Sequence, residues 1–139
     1  MSNTVSGQCM CGAVRFSAQA DKLSVVACHC DMCRRWSAGP FMAINCREVE
    51  FEGGENIARI RSSNWAERGH CAKCGSNLFY HIVDRADYQM AAGLLDDQSG
   101  LRFSLQVFSD RKPDFYEFAN ETSKMTEAEV LALYAPSDK

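Results

Sequence analysis

Seven of the eight cysteines in this 139-residue chain fall into three tight groups, and no other feature restricts its possible folds so strongly. The groups are Cys9-Met10-Cys11, Cys28-His29-Cys30-Asp31-Met32-Cys33 and Cys71-Ala72-Lys73-Cys74, with Cys46 standing alone. Spacings this short suit metal sites. The pairs Cys9/Cys11 and Cys71/Cys74 together supply four thiolates, enough for a closed tetrahedral zinc site. The triplet Cys28/Cys30/Cys33 supplies three and leaves a zinc position open. Four ligands hold a fold together, whereas three leave room for chemistry.

Compartment decides between metal and disulfide. Nothing in the sequence approaches the roughly 18 consecutive apolar residues of a membrane span, and the stretch Met1 to Gly7 lacks the basic and apolar regions of a signal peptide. A cytoplasmic protein is expected, and in a reducing compartment clustered cysteines read as metal ligands. A formal net charge of −3 offers no basic footprint, so neither nucleic acid nor a membrane is an expected partner. With 46% hydrophobic and 24% charged residues, the composition suits one globular zinc-binding domain over residues 1–139. A homodimer is compatible with so small a domain, though no particular residue argues for it.

The chain reads as mainly β. Strand-like runs occur at Val14–Ala18, Leu23–Val26, Phe41–Ile44, Ile57–Arg61, Asn77–His81, Tyr88–Ala91 and Phe103–Val107, several of them alternating apolar and polar residues. One short helix is expected from Glu127 to Tyr134, where Thr126 and Glu129 form a capping box and Pro136 follows. The tail Pro136–Lys139 is expected to fray.

Each cysteine pair of the closed site is followed by a glycine, Gly12 or Gly75, which tolerates the positive φ that such turns need. One ion held by both pairs would close a loop of about sixty residues and replace core that a small β domain lacks. A redox role for Cys71/Cys74 is the alternative, but no βαβ pattern surrounds it.

The triplet follows the apolar run Leu23–Ala27, which places its ligands at a strand end and in the turn beyond. In extended chain Cys28 and Cys30 face one way and His29 the other, so His29 either supports the ligands, faces substrate, or is simply a satisfied turn histidine. Three thiolates make zinc a soft, weak Lewis acid that binds sulfur better than it ionises water, which favours a thiol substrate. The competing reading is a second structural site, completed by Cys46, His70 or His81. Cys46 itself reads as a small buried residue. Arg34 and Arg35 either hold a substrate carboxylate or sit solvated or ion-paired. Trp36, Phe41, Trp65 and Phe79 wall a metal pocket or belong to the core.

The succession Gly7-x-Cys9-x-Cys11-Gly12-x-Val14-x-Phe16, Cys28-His29-Cys30-x-x-Cys33-Arg34, Arg68-x-x-Cys71-x-x-Cys74-Gly75-x-x-Leu78-x-Tyr80 and Gly93-x-Leu95-Asp96 resembles the glutathione-dependent formaldehyde-activating enzyme family, over about Gly7 to Val107. The resemblance implies a β-tent, small antiparallel sheets pinned by zinc, with the short C-terminal helix appended. It implies two zinc ions: a structural one on Cys9, Cys11, Cys71 and Cys74, and a catalytic one on Cys28, Cys30 and Cys33. It further implies a carbon–sulfur lyase or synthase joining a small aldehyde such as formaldehyde to a thiol such as glutathione, giving S-hydroxymethylglutathione. The residues flanking the triplet, Asp31-Met32 and Trp36-Ser37-Ala38, do not single out the founding enzyme. Two alternatives stay open: a family member acting on a different thiol adduct, and a zinc-stabilised β binding module in which both metals are structural.

Overall fold

The computed structural model describes residues 2–135, so the expectation for Pro136–Lys139 lies outside the described residues. Ten strands and two helices follow in order: β1 (Asn3–Gln8), β2 (Arg15–Ala20), β3 (Ser24–Cys28), α1 (Asp31–Ser37), β4 (Phe41–Glu52), β5 (Ile57–Arg61), β6 (Ala66–Cys71), β7 (Asn77–Ile82), β8 (Tyr88–Ala91), β9 (Arg102–Val107), β10 (Ser123–Met125) and α2 (Glu127–Tyr134). The mainly β expectation holds, and the C-terminal helix has the expected ends. In α2 the Glu129 backbone N–H donates to Thr126 Oγ1 at 3.3 Å and the Thr126 N–H donates to Glu129 Oε1 at 2.8 Å.

The strands hydrogen-bond in the order β10-β9-β3-β4-β8-β7-β6-β5, with β2 pairing both β1 and β4 off this path. The long strand β4 makes the branch. Its first half, through Cys46, pairs β3 and β8, and its second half, from Arg47, pairs β2. Between the halves Glu48 takes a left-handed φ of 53°, opposite a register shift between Ser17 and Gln19 of β2. A bulge of this kind bends a strand and increases its twist, so β4 leaves one sheet and enters another. Pairing is antiparallel except for β3–β9 and β9–β10, which are parallel, a departure from an all-antiparallel fold.

The core lies where the two sheets face each other. Phe16 and Ala18 of β2 meet Ile44 and Cys46 of β4, Leu78 and Phe79 of β7, and Met90 of β8, all buried. Opposite faces of one strand alternate. Counting from Ile44 and Cys46 on β4 and from Phe79 on β7, Ala43 and Asn45 and likewise Tyr80 and Ile82 look out on the other side of the sheet; Leu78 joins the core out of turn, at a register shift between β6 and β7. Among the described residues, no helix is long and apolar enough to cross a membrane.

Candidate metal centres

The closed site is built from two similar turns. Cys9 and Cys11 lie in the β1–β2 connection, while Cys71 ends β6 and Cys74 lies in the turn into β7. In each turn the glycine after the second cysteine has φ of 83° and donates its N–H to the carbonyl of the first: Gly12 to Cys9 at 3.2 Å, and Gly75 to Cys71 at 2.8 Å. Backbone N–H groups of Val14, Lys73 and Cys74 point at sulfur, each 3.4 Å from Cys9 Sγ or Cys71 Sγ. Such donors favour thiolate over thiol.

The sulfur spacing is diagnostic. Cys9 Sγ and Cys11 Sγ are 3.7 Å apart, and Cys11 Sγ and Cys71 Sγ 3.8 Å. A tetrahedron with sulfurs about 2.3 Å from its centre has edges of about 3.8 Å. A disulfide would bring the sulfurs to about 2.05 Å, and all eight cysteines are free. The four ligand atoms lie within 4.8 Å of one another, so the donor set and its geometry fit a zinc ion.

In the triplet, Cys28 ends β3, Cys30 caps α1 and Cys33 is buried on the first turn of that helix. The sequence reading had only a turn here. Cys30 Sγ accepts the Cys33 N–H at 3.3 Å, taking the place of the usual oxygen cap, and Ala38 ends the helix with a left-handed φ of 64°. The three sulfurs lie within 4.8 Å of one another, and among the described residues no fourth His, Cys, Asp or Glu joins them.

The structure disposes of the three suggested fourth ligands separately. Cys46 is fully buried in the core, which pushes its thiol up to about 12. His81 stacks on Tyr88 at 4.0 Å, its ring nitrogens 2.9 Å from the Glu67 carboxylate and 2.7 Å from the Arg85 carbonyl. His70 lies on β6 between Ala58 and Asn77 and does not join the cluster.

Beside the triplet stands a residue that sequence reasoning quoted only as part of a motif. Arg68, on β6, is 4% exposed and donates from Nη1 to Cys33 Sγ at 3.4 Å. Its guanidinium lies over the rings of Trp36 at 5.1 Å and Tyr80 at 4.9 Å. Its Nε has no partner, and no carboxylate of the described residues pairs with it. A buried cation needs an anion, and the triplet sulfurs are the group it touches. Without an ion, hydrogen bonds from Cys28 and then Cys33 push Cys30 down to about 2, while the same contact with Cys30 drives Cys28 far up. Cys33 is lowered by Cys28 but raised more by Cys30 and burial together, to about 11. Ionising all three requires more positive charge than Arg68 brings, which a divalent cation supplies.

The triplet opens into a cleft of about 860 Å³. Its floor is the face of the sheet turned away from the core. Leu105, Val26 and Ala43 form one cross-strand row, and Val107, Cys28 and Phe41 form the next. Tyr80 and Ile82 extend the floor, Trp65 and Phe108 rise beside it, and Val130, Leu131 and Tyr134 of α2 line it from another element.

The other predicted residues separate. His29 is 1% exposed; with Nε2–H donating to Gln106 Oε1 at 2.8 Å, its Nδ1 accepts from the Tyr116 hydroxyl at 3.1 Å. Gln106 is oriented in turn by its Nε2 donating to Thr122 at 3.0 Å. Both ring nitrogens are used, and burial lowers the imidazole below its ordinary value. Arg34 pairs with Asp31 at 2.8 Å and borders a separate cavity of about 320 Å³ together with His29 and Tyr116. Arg35 is exposed and lines neither cavity. The 100° step of the helix, with Cys33 turned inward, carries both arginines off the cysteine face. The cations that do line the cleft are Lys22, Arg68, Arg85 and Arg111. Phe41 and Trp65 line it too, Trp36 backs Arg68, and Phe79 is core.

The family model described as glutathione-dependent formaldehyde-activating enzyme matches residues 4–111, a span that holds all seven clustered cysteines and Arg68. The chain belongs to this family. A Schizosaccharomyces pombe protein named an uncharacterized lyase is 36% identical over 127 residues, covering 90% of this chain and 93% of its own. The crystal structure of a Rhodobacter sphaeroides protein superposes with a TM-score of 0.58 at 22% identity, covering 66% of this chain and 87% of that one, a likeness of fold. The family match stops at Arg111, so α2 lies beyond it.

Proposed function

We propose that this chain is a zinc-dependent carbon–sulfur lyase or synthase that interconverts a glutathione-type thiol plus an aldehyde with their hydroxyalkyl thioether. The observation that carries the reading is the triplet: three sulfurs within 4.8 Å, no fourth side-chain ligand among the described residues, and a cleft that opens onto them. The family and the lyase name of the yeast relative point the same way. Cys9, Cys11, Cys71 and Cys74 would hold the structural ion, and Cys28, Cys30 and Cys33 the catalytic one.

Zinc bound by the triplet would supply the positive charge that keeps a substrate thiol ionised at neutral pH. The chain's own residues do the rest. Arg68 offsets the negative charge of the sulfurs and fixes Cys33. His29, held neutral and hydrogen-bonded at both nitrogens, keeps the Cys28–Cys30 segment in one conformation. Tyr80, whose phenol burial pushes up to about 12, stays protonated near the three sulfurs and can donate to the aldehyde oxygen. In the forward direction the sulfur lone pair forms the C–S bond, the carbonyl π pair moves to oxygen, and that oxygen takes the proton the thiol gave up. The reverse breaks the same bond, and no electron acceptor is needed.

Exchange NMR on the zinc-loaded chain tests the reading. The interconversion of glutathione and formaldehyde or another aldehyde with the adduct should accelerate with enzyme concentration and be lost in Cys30→Ser. An exchange rate that is independent of the protein for every aldehyde and thiol tried would refute it.

A further inference from the structure

The cleft is much larger and more apolar than a one-carbon aldehyde needs. Its volume of about 860 Å³ is in the range of sites that enclose whole drug-sized ligands. Beside Cys28 the floor presents Val26, Phe41, Ala43, Leu105 and Val107, none of which can hydrogen-bond through its side chain. Facing this floor, α2 contributes Val130, Leu131 and Tyr134, of which Leu131 and Tyr134 are still 39% and 41% exposed. These side chains border the cleft without filling it.

The charged groups are distributed differently. Asp31 and Glu127 are paired with Arg34 and Arg111, Asp21 with Arg47, and Asp87 accepts from Asn45 Nδ2 at 2.7 Å. Lys22 and Arg85, both exposed, make no ion pair with any described residue, and the Arg85 guanidinium lies over the Tyr134 ring at 5.5 Å, at the edge of the α2 wall. A peptide-like thiol with carboxylates finds its partners in these two cations and little to bind along the apolar floor. The apolar floor and α2 suit the other half of the adduct.

Building on the lyase reading, we infer that the aldehyde half of this enzyme's substrate carries an apolar chain or ring, which lies between the sheet floor and α2 while its carbonyl carbon meets the thiol at the triplet. Val130, Leu131 and Tyr134 come from a segment beyond residues 4–111, the span that the family model matches. The cleft is concave, and the triplet shares its floor. A second protein seated there would cover the reacting sulfurs, so a small molecule is the occupant that leaves them usable.

Two measurements on the zinc-loaded full-length protein test this. In calorimetry, S-alkylglutathiones from methyl to hexyl serve as unreactive probes, and their affinity should rise by up to about fourfold per methylene buried. The kcat/KM for aldehydes from formaldehyde to hexanal should rise in parallel, and Leu131→Asp should flatten both series. Affinity and kcat/KM that stay level or fall with chain length would overturn the inference while leaving the lyase reading intact, provided formaldehyde turns over. Turnover with no aldehyde at all would instead remove the reading on which the inference rests. A level series in a protein whose cleft is covered by a second copy would show that the apolar face is a dimer surface, which also overturns it.

Discussion

At the scale of single residues, Arg68 is the buried cation set against the cysteine triplet. It is a buried cation with no carboxylate, one of its N–H groups on Cys33 Sγ and aromatic rings beside it. Arg68→Met should weaken retention of the second zinc by at least about tenfold, given that a hydrogen bond to a charged group contributes about 1.5–3 kcal/mol. Arg68→Lys should recover part of the loss. Chelator competition reads both, and an unchanged second-site affinity in the methionine variant would refute the pairing. Tyr80→Phe should lower kcat by at least about tenfold with little effect on zinc content, within the usual range for a proton donor in the transition state. The cysteines were legible in the sequence because metal ligands must come in short, fixed spacings. Arg68 was not, since an arginine in Ala66-Glu-Arg-Gly-His-Cys71 looks like any strand arginine until register sets it opposite Tyr80. Arg34 and Arg35 drew notice by adjacency to the triplet, which a helix turn then undid.

Among the elements, β6 joins the two metal centres. It carries Arg68 toward the open site and Cys71 into the closed one, and Gly69 between them lies opposite Phe79 of β7. A Cβ on Gly69 would come within 2.4 Å of the Phe79 ring, so Gly69→Ala should cost about 1–3 kcal/mol of stability and loosen both centres. Thermal melts with metal analysis check this, and a variant as stable as wild type would mean that Phe79 has room to move. Across β5, β6 and β7 run Arg59, Glu67 and His81, at 2.7 and 2.9 Å from the Glu67 carboxylate. Burial raises the Glu67 carboxyl, but His81 and Arg59 together outweigh it and hold the group below its ordinary value. A depressed folded value contributes stability above the unfolded pKa of about 4.3, and that stability is lost as pH falls through the folded value. The stability gap between wild type and Glu67→Gln should therefore be open at pH 7 and close on acidification; a gap that does not vary with pH would contradict this. Elements with clear periodicity, β5, β8 and α2 among them, were readable in the chain. The strands β1, β6 and β10 and the helix α1 were not: β1 is a largely polar strand whose strand partner is β2, β6 lacks apolar alternation because it carries Arg68 and Gly69, β10 is three residues paired in parallel to β9, and α1 is short and capped by a sulfur.

For the molecule as a whole, the proposed function assigns the two cysteine clusters different work. The closed site ties the β1–β2 turn to the β6–β7 turn across sixty residues of sequence. Cys71→Ser should release that ion and cost several kcal/mol, because binding energy at a structural zinc is folding energy. Cys30→Ser should lose turnover and the second zinc with a much smaller fall in melting temperature. Equal destabilisation by the two variants would mean that both centres are structural. The bulge at Glu48 and the parallel strand β9 set how the second sheet face becomes a cleft floor, and both arise from long-range pairing that no local sequence pattern announces. X-ray absorption at the zinc edge, combined with metal counting on the fully loaded protein, addresses the central claim most directly. Two zinc ions per chain are predicted, one bound by four sulfurs and the other by three and a lighter atom, with the sulfur count rising when a glutathione-type thiol is added. A single ion, or four protein ligands at both ions with no response to thiol, would contradict the account.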